Sequence, residues 1–556
     1  MKYLALMLLL LGLTSLVSFQ VDVIDSGKLL TFSDGKQIGS ESFTITAEGA
    51  GEGSSLLTVN GQSLDLSTRT EYKGTHPFAF ELEEGSTRAK LKVSINGTAV
   101  KSTGSAEATG ETDAESVILE NGVGYQYYFL VRRYDRKLGG VQQFKMFVPS
   151  VMQTVTLSLE LKGPLSSPPG KPTGLEHFRA VIASSINVDL VTDAAGKLVL
   201  ISLPAQKVKS VREEYLASLA SIETAVAAAS KSGDIDYSAR PGAPFTSEEV
   251  SVNARDFKLA GTLLLPKSGK RPFPAVITIT GSGQQSRDEP IPIPGLEKYG
   301  LMRQIAESLA SRGIAVLRVD DRGAGKSEGF NSLLKATTSD FADDMRAQIA
   351  YLRSRPEIDP KRIALVGHSE GANIAPMIAS LDPQLGPIVL MAGSSKRGDQ
   401  ITIDQLNESL KDDTTMTAEE KNKQRTEQQE TIRAVLTGAD LSKYPSQVRL
   451  PWIKEFWSYD PLPTIRKVRQ PILILHGALD RQVSVDQGAA LQKAAQAAGN
   501  KDVTLRAFPT LNHLFLPART GAFSEYSTLE TSVVPEDVLK ALSDWLETRL
   551  KVRSRK

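Results

Sequence analysis

Cysteine is absent from the 556 residues, which excludes disulfides, zinc–thiolate sites, iron–sulfur clusters and thiol nucleophiles together. Histidine is nearly as scarce, with five in the chain. No HExxH or paired-histidine spacing occurs, so no catalytic metal is expected. A charge excess is also missing: 65 Lys and Arg stand against 64 Asp and Glu, a net charge of +1. No bulk field exists to gather a phosphate backbone, and nucleic acid is excluded as an expected partner. With 40% hydrophobic and 23% charged residues, the chain has the makeup of a globular protein, neither disordered nor collagen-like. At roughly 150 residues per domain, the length calls for more than one folded unit.

One apolar run stands apart. Lys2 precedes the stretch Tyr3 to Leu13, and Thr14, Ser15 and Ser18 follow. This is the pattern of a signal peptide, taken as residues 1–19, and the run is short of the ~20 residues that span a bilayer. Export to the periplasm or the medium of a bacterium is the expectation, without stable membrane insertion once the leader is removed. A chain without cysteine folds there without oxidation.

Residues 20–205 show short alternating apolar runs punctuated by the turn dipeptides Asp34-Gly35, Asn60-Gly61, Asn96-Gly97 and Asn121-Gly122, which signal hairpins. Lys90 to Ile95, Tyr125 to Val131, Thr154 to Leu161 and Val188 to Leu203 read as strands of an antiparallel sheet or half-barrel, a separate β-rich N-terminal domain. A packing role or ligand binding both suit such a module. Val208 to Lys231 favours helix, and Asp236 to Thr246, with Pro241-Gly242 and Pro244, reads as a linker; together they make a helical and linker segment over 206–246.

From residue 247 the texture changes. Pro274 to Thr280, Gly313 to Asp320, Arg362 to Val366, Pro387 to Ala392, Pro471 to Leu475 and Val503 to Phe508 are apolar runs of strand length. Helical patterns lie between most of them, so residues 247–556 are expected to form an α/β fold with a mostly parallel sheet covered on both faces. Ligands of such sheets bind at the carboxyl ends of the strands. A charged, helical insertion at about 396–455 falls between two strands, placed to act as a cap.

The segment Gly367-His368-Ser369-Glu370-Gly371 joins a buried strand to a helical pattern. A nucleophile at such a junction is pushed up by strained backbone angles, and flanking glycines avoid collisions with strand and helix. Ser369 is the candidate nucleophile, and it needs a histidine oriented by a carboxylate. His76 and His177 fall in the β-rich region, and His368 and His476 sit inside strand-end motifs where a structural or solvated role suffices. His513, in the loop after the final strand, is the candidate base. Asp480 ends Leu475 to Asp480 and is the chosen acid, with Asp486 as its rival or a helix N-cap. The order Ser369, Asp480, His513 is the chain order expected for a triad on this fold. The oxyanion donors are assigned to the N–H of Glu370 and that of Ser282, with Gly283 next. The Glu370 side chain is expected to be an exposed helix-start carboxylate. Gly323 to Ser327 mimics a P-loop but has Asp320 where the first glycine belongs. Arg287, Asp288 and Arg322 are expected to form a polar cluster at the strand-end loops.

These motifs carry a resemblance. Gly281 to Glu289 (GSGQQSRDE), Asp320 to Ser327 (DDRGAGKS), Gly367 to Gly371 (GHSEG), His476 to Asp480 and Asn512-His513 appear in the order seen in the α/β-hydrolase family, in a bacterial carboxylesterase branch. The resemblance covers about residues 248–550. It implies hydrolysis of a small-molecule ester of modest size, or of a thioester, by Ser369, His513 and Asp480 without a cofactor; a serine peptidase of this fold shares the chemistry. Thr280 departs from the family, which often has histidine there. If the fold were inert, the β-rich half would be left as a binding protein.

Overall fold

The computed structural model describes residues 22–552 apart from 60–61, 86–87, 105–106, 167–171, 183–185, 231–235, 292, 294–295, 297–298, 334, 414–415, 442–443 and 445. The proposed signal peptide and the Asn60-Gly61 turn lie outside the described residues.

Fifteen strands among the described residues form the first sheet. Eight of them, from Val23–Ser33 to Ala108–Glu111, meander outward by antiparallel pairing, each beside its neighbour in the chain. The remaining strands run back to Val208–Arg212, which pairs antiparallel with Val23–Ser33 and so joins the two meanders. The sheet folds back on itself: the Ile118 N–H of the edge strand Val117–Ile118 donates to the hydroxyl of Tyr72, in the interior strand Gln62–Lys73, at 2.8 Å. Leu29, Ile45, Tyr125, Phe178 and Leu190 fill the concave face, while helix Leu219–Ser230 covers Leu165, Val199 and Val211 through Ile222, Ala225 and Val226.

Two expectations fail in this half. Tyr125 to Val131 was expected as a strand, but Tyr127–Val131 is helical. Buried Glu41 accepts the N–H groups of Gly124 and Tyr125 at 2.9 and 3.1 Å, and the Tyr125 hydroxyl reaches the Gly51 carbonyl. Those contacts override the strand propensity of an aromatic run. Val208 to Lys231 was expected to favour helix, and its first five residues are a strand, carrying the sheet past residue 205 to Arg212. Arg212 is buried on Asp25, with Nη2 to Oδ2 at 2.7 Å. That partner lies far back in the sequence and leaves no local trace.

The second sheet has eight strands in the order Phe245–Ala254, Phe257–Pro266, Ala315–Val319, Phe273–Ile279, Ile358–His368, Ile388–Met391, Ile472–Gly477, Val503–Phe508. The first two pair antiparallel, and Phe257–Pro266 pairs antiparallel with Ala315–Val319; every later pairing is parallel. Two apolar cores lie on its faces: Leu365, Ile374, Ile388 and Ile474 mark one, Val276, Ile305, Val366 and Leu542 the other. Parallel strands need crossovers, so residues distant in sequence are delivered to one edge of the sheet. Helices Gly398–Asp412, Ala418–Thr437 and Pro451–Ser458 form the insertion between Ile388–Met391 and Ile472–Gly477. Among the described residues no helix is long and apolar enough to cross a membrane.

Candidate active site

Ser369 stands between strand Ile358–His368 and helix Glu370–Ala379 at φ 54° and ψ −116°. A residue with a Cβ enters that region only when its surroundings hold it there. Space explains the glycines: a Cβ on Gly367 would lie 2.1 Å from the Gly371 carbonyl oxygen, and one on Gly371 would lie 2.4 Å from that of Ile279. The Ser369 N–H donates to the Met391 carbonyl in the adjacent strand at 2.9 Å. Strand, helix and neighbouring strand therefore fix the turn, and Ser369 lines a large cavity together with His513.

His513 is buried, and its Nδ1 lies 2.8 Å from Asp480 Oδ2. The loop that carries it is shaped by Asn512, whose Oδ1 accepts the N–H groups of Leu514 and Leu516 at 3.0 and 3.1 Å. Gly477 admits this loop to the strand end, because a Cβ there would meet the Leu511 and Asn512 carbonyls at 2.3 and 2.6 Å. Asp480 Oδ1 accepts the N–H groups of Gln482 and Val483, both at 2.9 Å. Burial alone would raise the Asp480 carboxyl, but His513 and His476 beside it hold it well below the usual carboxylate range. Asp486, the rival, opens helix Asp486–Ala497 instead.

Two residues of the GSG…RDE and GHSEG motifs form a support that sequence reasoning left without a role. His368 places Nδ1 2.8 Å from Glu289 Oε1 and Nε2 3.0 Å from the His513 carbonyl. Both partners are acceptors, so the doubly protonated ring satisfies both. Burial opposes that charge, and the Glu289 carboxylate outweighs it, raising the His368 pKa. The buried His368 ring, through Glu289, ties the loop of Gly281 to the backbone of the candidate base. Glu289 appeared in the quoted motif, but no spacing in the chain pairs it with His368.

Ser282 lines the same cavity as Ser369. A Cβ on Gly281 would come 3.3 Å from the Ser369 Cβ, which places this loop against the nucleophile. Gly281 gives its N–H to Glu289 Oε1 at 2.7 Å. The Ser282 N–H has no acceptor among the described residues, and the Glu370 N–H opens its helix, where no carbonyl four residues back exists to take it.

The Glu370 side chain corrects the expectation of an exposed carboxylate: it is buried. Its Oε1 accepts from the Thr338 hydroxyl and from the Trp452 indole N–H of the cap, both at 2.9 Å. Burial raises its pKa against the pull of Trp452, Thr338 and the Ser282 hydroxyl. The side chain beside the nucleophile thus anchors cap helix Pro451–Ser458 to the turn.

The expected polar cluster is split. Buried Arg287 grips Asp320, with Nη2 to Oδ2 at 2.8 Å, and Asp288 pairs with buried Arg318. Arg322 pairs instead with Asp344 at 2.7 Å. None of the three arginines lines the cavity of Ser369. Among the described residues no group of three His, Asp or Glu is arranged to hold a metal ion.

The cavity has a volume of about 1540 Å³. Pockets for drug-sized ligands occupy roughly 300–1,000 Å³, so the space exceeds what an ester of modest size fills. Its walls come from three places: the strand-end loops, the cap through Ile401, Trp452 and Phe456, and the β-rich half through Arg132, Gln143 and Lys145.

Fold and site define a class: the C-terminal half of the chain has the α/β-hydrolase fold. The family described as serine aminopeptidase, S33, matches residues 294–517. The chain is similar to esterase EstD of Thermotoga maritima, 27% identical over 309 residues, covering 54% of this chain and 68% of EstD. It is 30% identical over 154 residues to esterase FrsA of Yersinia enterocolitica, covering 26% of this chain and 33% of FrsA. Among solved structures, the Pyrococcus furiosus esterase Pf2001 aligns with a TM-score of 0.40 at 19% identity, over 57% of this chain and 96% of that one.

Proposed function

We propose that the chain is a serine hydrolase that cleaves carboxylic esters through an acyl-enzyme on Ser369. The observation that carries this reading is the strained Ser369 in one cavity with His513, whose Nδ1 is bonded to Asp480. In this mechanism the His513 Nε2 takes the hydroxyl proton as Ser369 Oγ attacks the ester carbonyl. Asp480 stabilises the imidazolium that forms. The N–H groups of Glu370 and Ser282 receive the oxyanion. The tetrahedral intermediate expels the alcohol with the proton from His513. Water, deprotonated by the same ring, then attacks the acyl-enzyme and releases the acid with Ser369 regenerated.

The names of the relatives support ester hydrolysis, and a thioester or peptide substrate is the second reading. A thiohydrolase of Arthrinium phaeospermum is 38% identical over 92 residues, 29% of its length, and the matched family is described as an aminopeptidase. Export of the mature chain through residues 1–19 is part of the proposal and stands on the sequence pattern alone.

Labelling with a fluorophosphonate probe tests the nucleophile. Ser369→Ala is expected to abolish the label and lower turnover about 10⁴-fold or more. Nitrophenyl esters, acyl-CoA and aminoacyl nitroanilides then rank the substrate classes. A wild-type chain that is folded yet neither labelled nor active on any of the three classes removes the proposal.

A further inference from the structure

The β-rich half is more than a neighbour of the hydrolase half. Residue by residue, it closes one side of the cavity that holds Ser369. Contacts between the two halves include Lys207 with Glu328 at 3.4 Å and the turn Pro149–Val151 against Ser446–Arg449 of the insertion. Strand Val141–Val148 and its partner Gln153–Ser166 present Gln143, Lys145 and Thr156 to the cavity, and helix Tyr127–Val131 ends at Arg132, which also lines it.

The charges on these walls are unequally matched. Arg133 bonds to the carbonyls of Glu115 and Thr75 and sits in the field of Glu115 and Asp113. In the cap, Lys396 pairs with Asp404 at 2.5 Å. Glu289 is taken by His368, and Glu370 by Thr338 and Trp452. Asp113 and Glu115 line the same wall and face Arg133; the other two cations of this wall are Arg132 and Lys145. Arg132 meets only the Tyr128 hydroxyl, at 3.1 Å, and that residue's ring; Lys145 meets only the Thr156 hydroxyl, at 2.9 Å. Among the described residues neither has a carboxylate partner. The cap supplies apolar surface to the same cavity, from Ile401, Ile453 and Phe456.

We propose that Arg132 and Lys145 form an anion subsite and that the preferred ester carries a carboxylate or phosphate at the end remote from the scissile bond, joined by an apolar spacer. This inference rests on the ester-hydrolase reading and deepens it. A guanidinium and an ammonium donate charge-assisted hydrogen bonds to such a group, and because both side chains are exposed to solvent the attraction is screened by salt.

The test uses the full chain and three ester series with spacers of increasing length: one with a terminal carboxylate on the acyl side, one with it on the alcohol side, and one with a terminal phosphate. Each is compared with its neutral methyl-ester counterpart. The wild type is expected to prefer the anionic member in at least one series by about three- to tenfold in kcat/KM, through KM, and salt is expected to reduce the preference. The carboxylate and phosphate arms identify the anion. Arg132→Gln with Lys145→Gln is expected to bring the ratio to about one, Arg132→Glu with Lys145→Glu to reverse it, and Arg132→Lys to restore part of it. Because the readout is a ratio within one protein, a general loss of activity does not imitate the result. Hydrolysis of the neutral esters with no anionic preference at any length, or a preference that survives charge reversal, overturns the subsite and leaves the hydrolase standing. No hydrolysis of any ester and no fluorophosphonate label overturns the underlying reading instead.

Discussion

The hairpin turns of the β-rich half and the strand–helix junction around Ser369 use glycine for opposite reasons. In the β-rich half Gly35, Gly74 and Gly97 have φ of 77°, 65° and 63° and nothing within 4 Å of where a Cβ would lie. There the backbone angle is what requires glycine, and space is plentiful. In the hydrolase half neither Gly367 nor Gly371 has a positive φ, yet a Cβ on either would collide with main-chain atoms. The contrast follows the connectivity. A sheet assembled from chain neighbours needs turns that reverse tightly, whereas a sheet assembled by crossovers brings distant backbones into contact at the strand ends. The candidate site lies in the second kind of place, where Ser369 and His513 line one cavity and Asp480 bonds to His513.

Alanine at one glycine of each kind puts numbers on that contrast. Gly371→Ala must displace the end of strand Phe273–Ile279, and it is expected to cost about 3 kcal/mol of stability together with most fluorophosphonate labelling. Gly97→Ala strains one exposed turn residue and is expected to cost about 1 kcal/mol with labelling intact. Chemical denaturation and labelling of both variants check this. Equal costs would mean that steric crowding at the nucleophile turn is relieved by small shifts, and the distinction between the two glycine roles would fall.

The same contrast explains what could be read from the sequence. Gly367-x-Ser369-x-Gly371, the glycine and aspartate of His476 to Asp480, and Asn512-His513 are short motifs, because the local turn dictates each one. The hairpins were visible for the same reason, through Asp34-Gly35 and Asn96-Gly97. Features fixed by distant partners left no mark: the strand Val208–Arg212, held by Asp25; the helix Tyr127–Val131, held by Glu41; the burial of Glu370 under Trp452. Arg132 and Lys145 were equally hidden, since a cation on the polar face of a strand or at a helix end reads as a solvated surface until the facing wall is known.

Two buried carboxylates, one from each half, are shifted in opposite directions. In the hydrolase half Asp480 is held below its usual range by adjacent histidines. In the β-rich half Glu41 has no cation to offset its burial: the N–H groups of Gly124 and Tyr125 only partly compensate, and its pKa is pushed up from 4.5 to about 7. Below pH 4.5 the group is protonated whether the chain is folded or not. Between 4.5 and about 7 the unfolded chain gives up the proton first, so stability falls as pH rises, and above about 7 the penalty of about 3 kcal/mol is complete. Glu41→Gln removes this titration. The variant is expected to gain about that much relative to the wild type between pH 4.5 and 8 in denaturation of the β-rich half, over whatever constant offset the amide brings. Parallel profiles would show that the N–H donors compensate the charge in full.

The smallest expected effect concerns the contact that ties the cap to the nucleophile turn. Trp452→Phe keeps the aromatic stack with Phe456, whose centroid lies 5.2 Å away, and deletes only the indole donor to Glu370. A hydrogen bond to a charged, buried group contributes about 1.5–3 kcal/mol in full, and Thr338 continues to serve the same oxygen, so the loss belongs near or below the lower end. If the bond holds helix Pro451–Ser458 over the cavity, the cost falls on substrates large enough to touch the cap. A long-chain nitrophenyl ester is expected to lose about fivefold in kcat/KM, mainly through KM, while nitrophenyl acetate, too short to reach Ile401 or Ile453, changes by less than about twofold. An equal fall for both esters would place the effect on the Glu370 N–H and the oxyanion instead. The cap would then act on the chemistry through the turn, and the separation between a wall that binds and a strand end that reacts would fail within the hydrolase half itself.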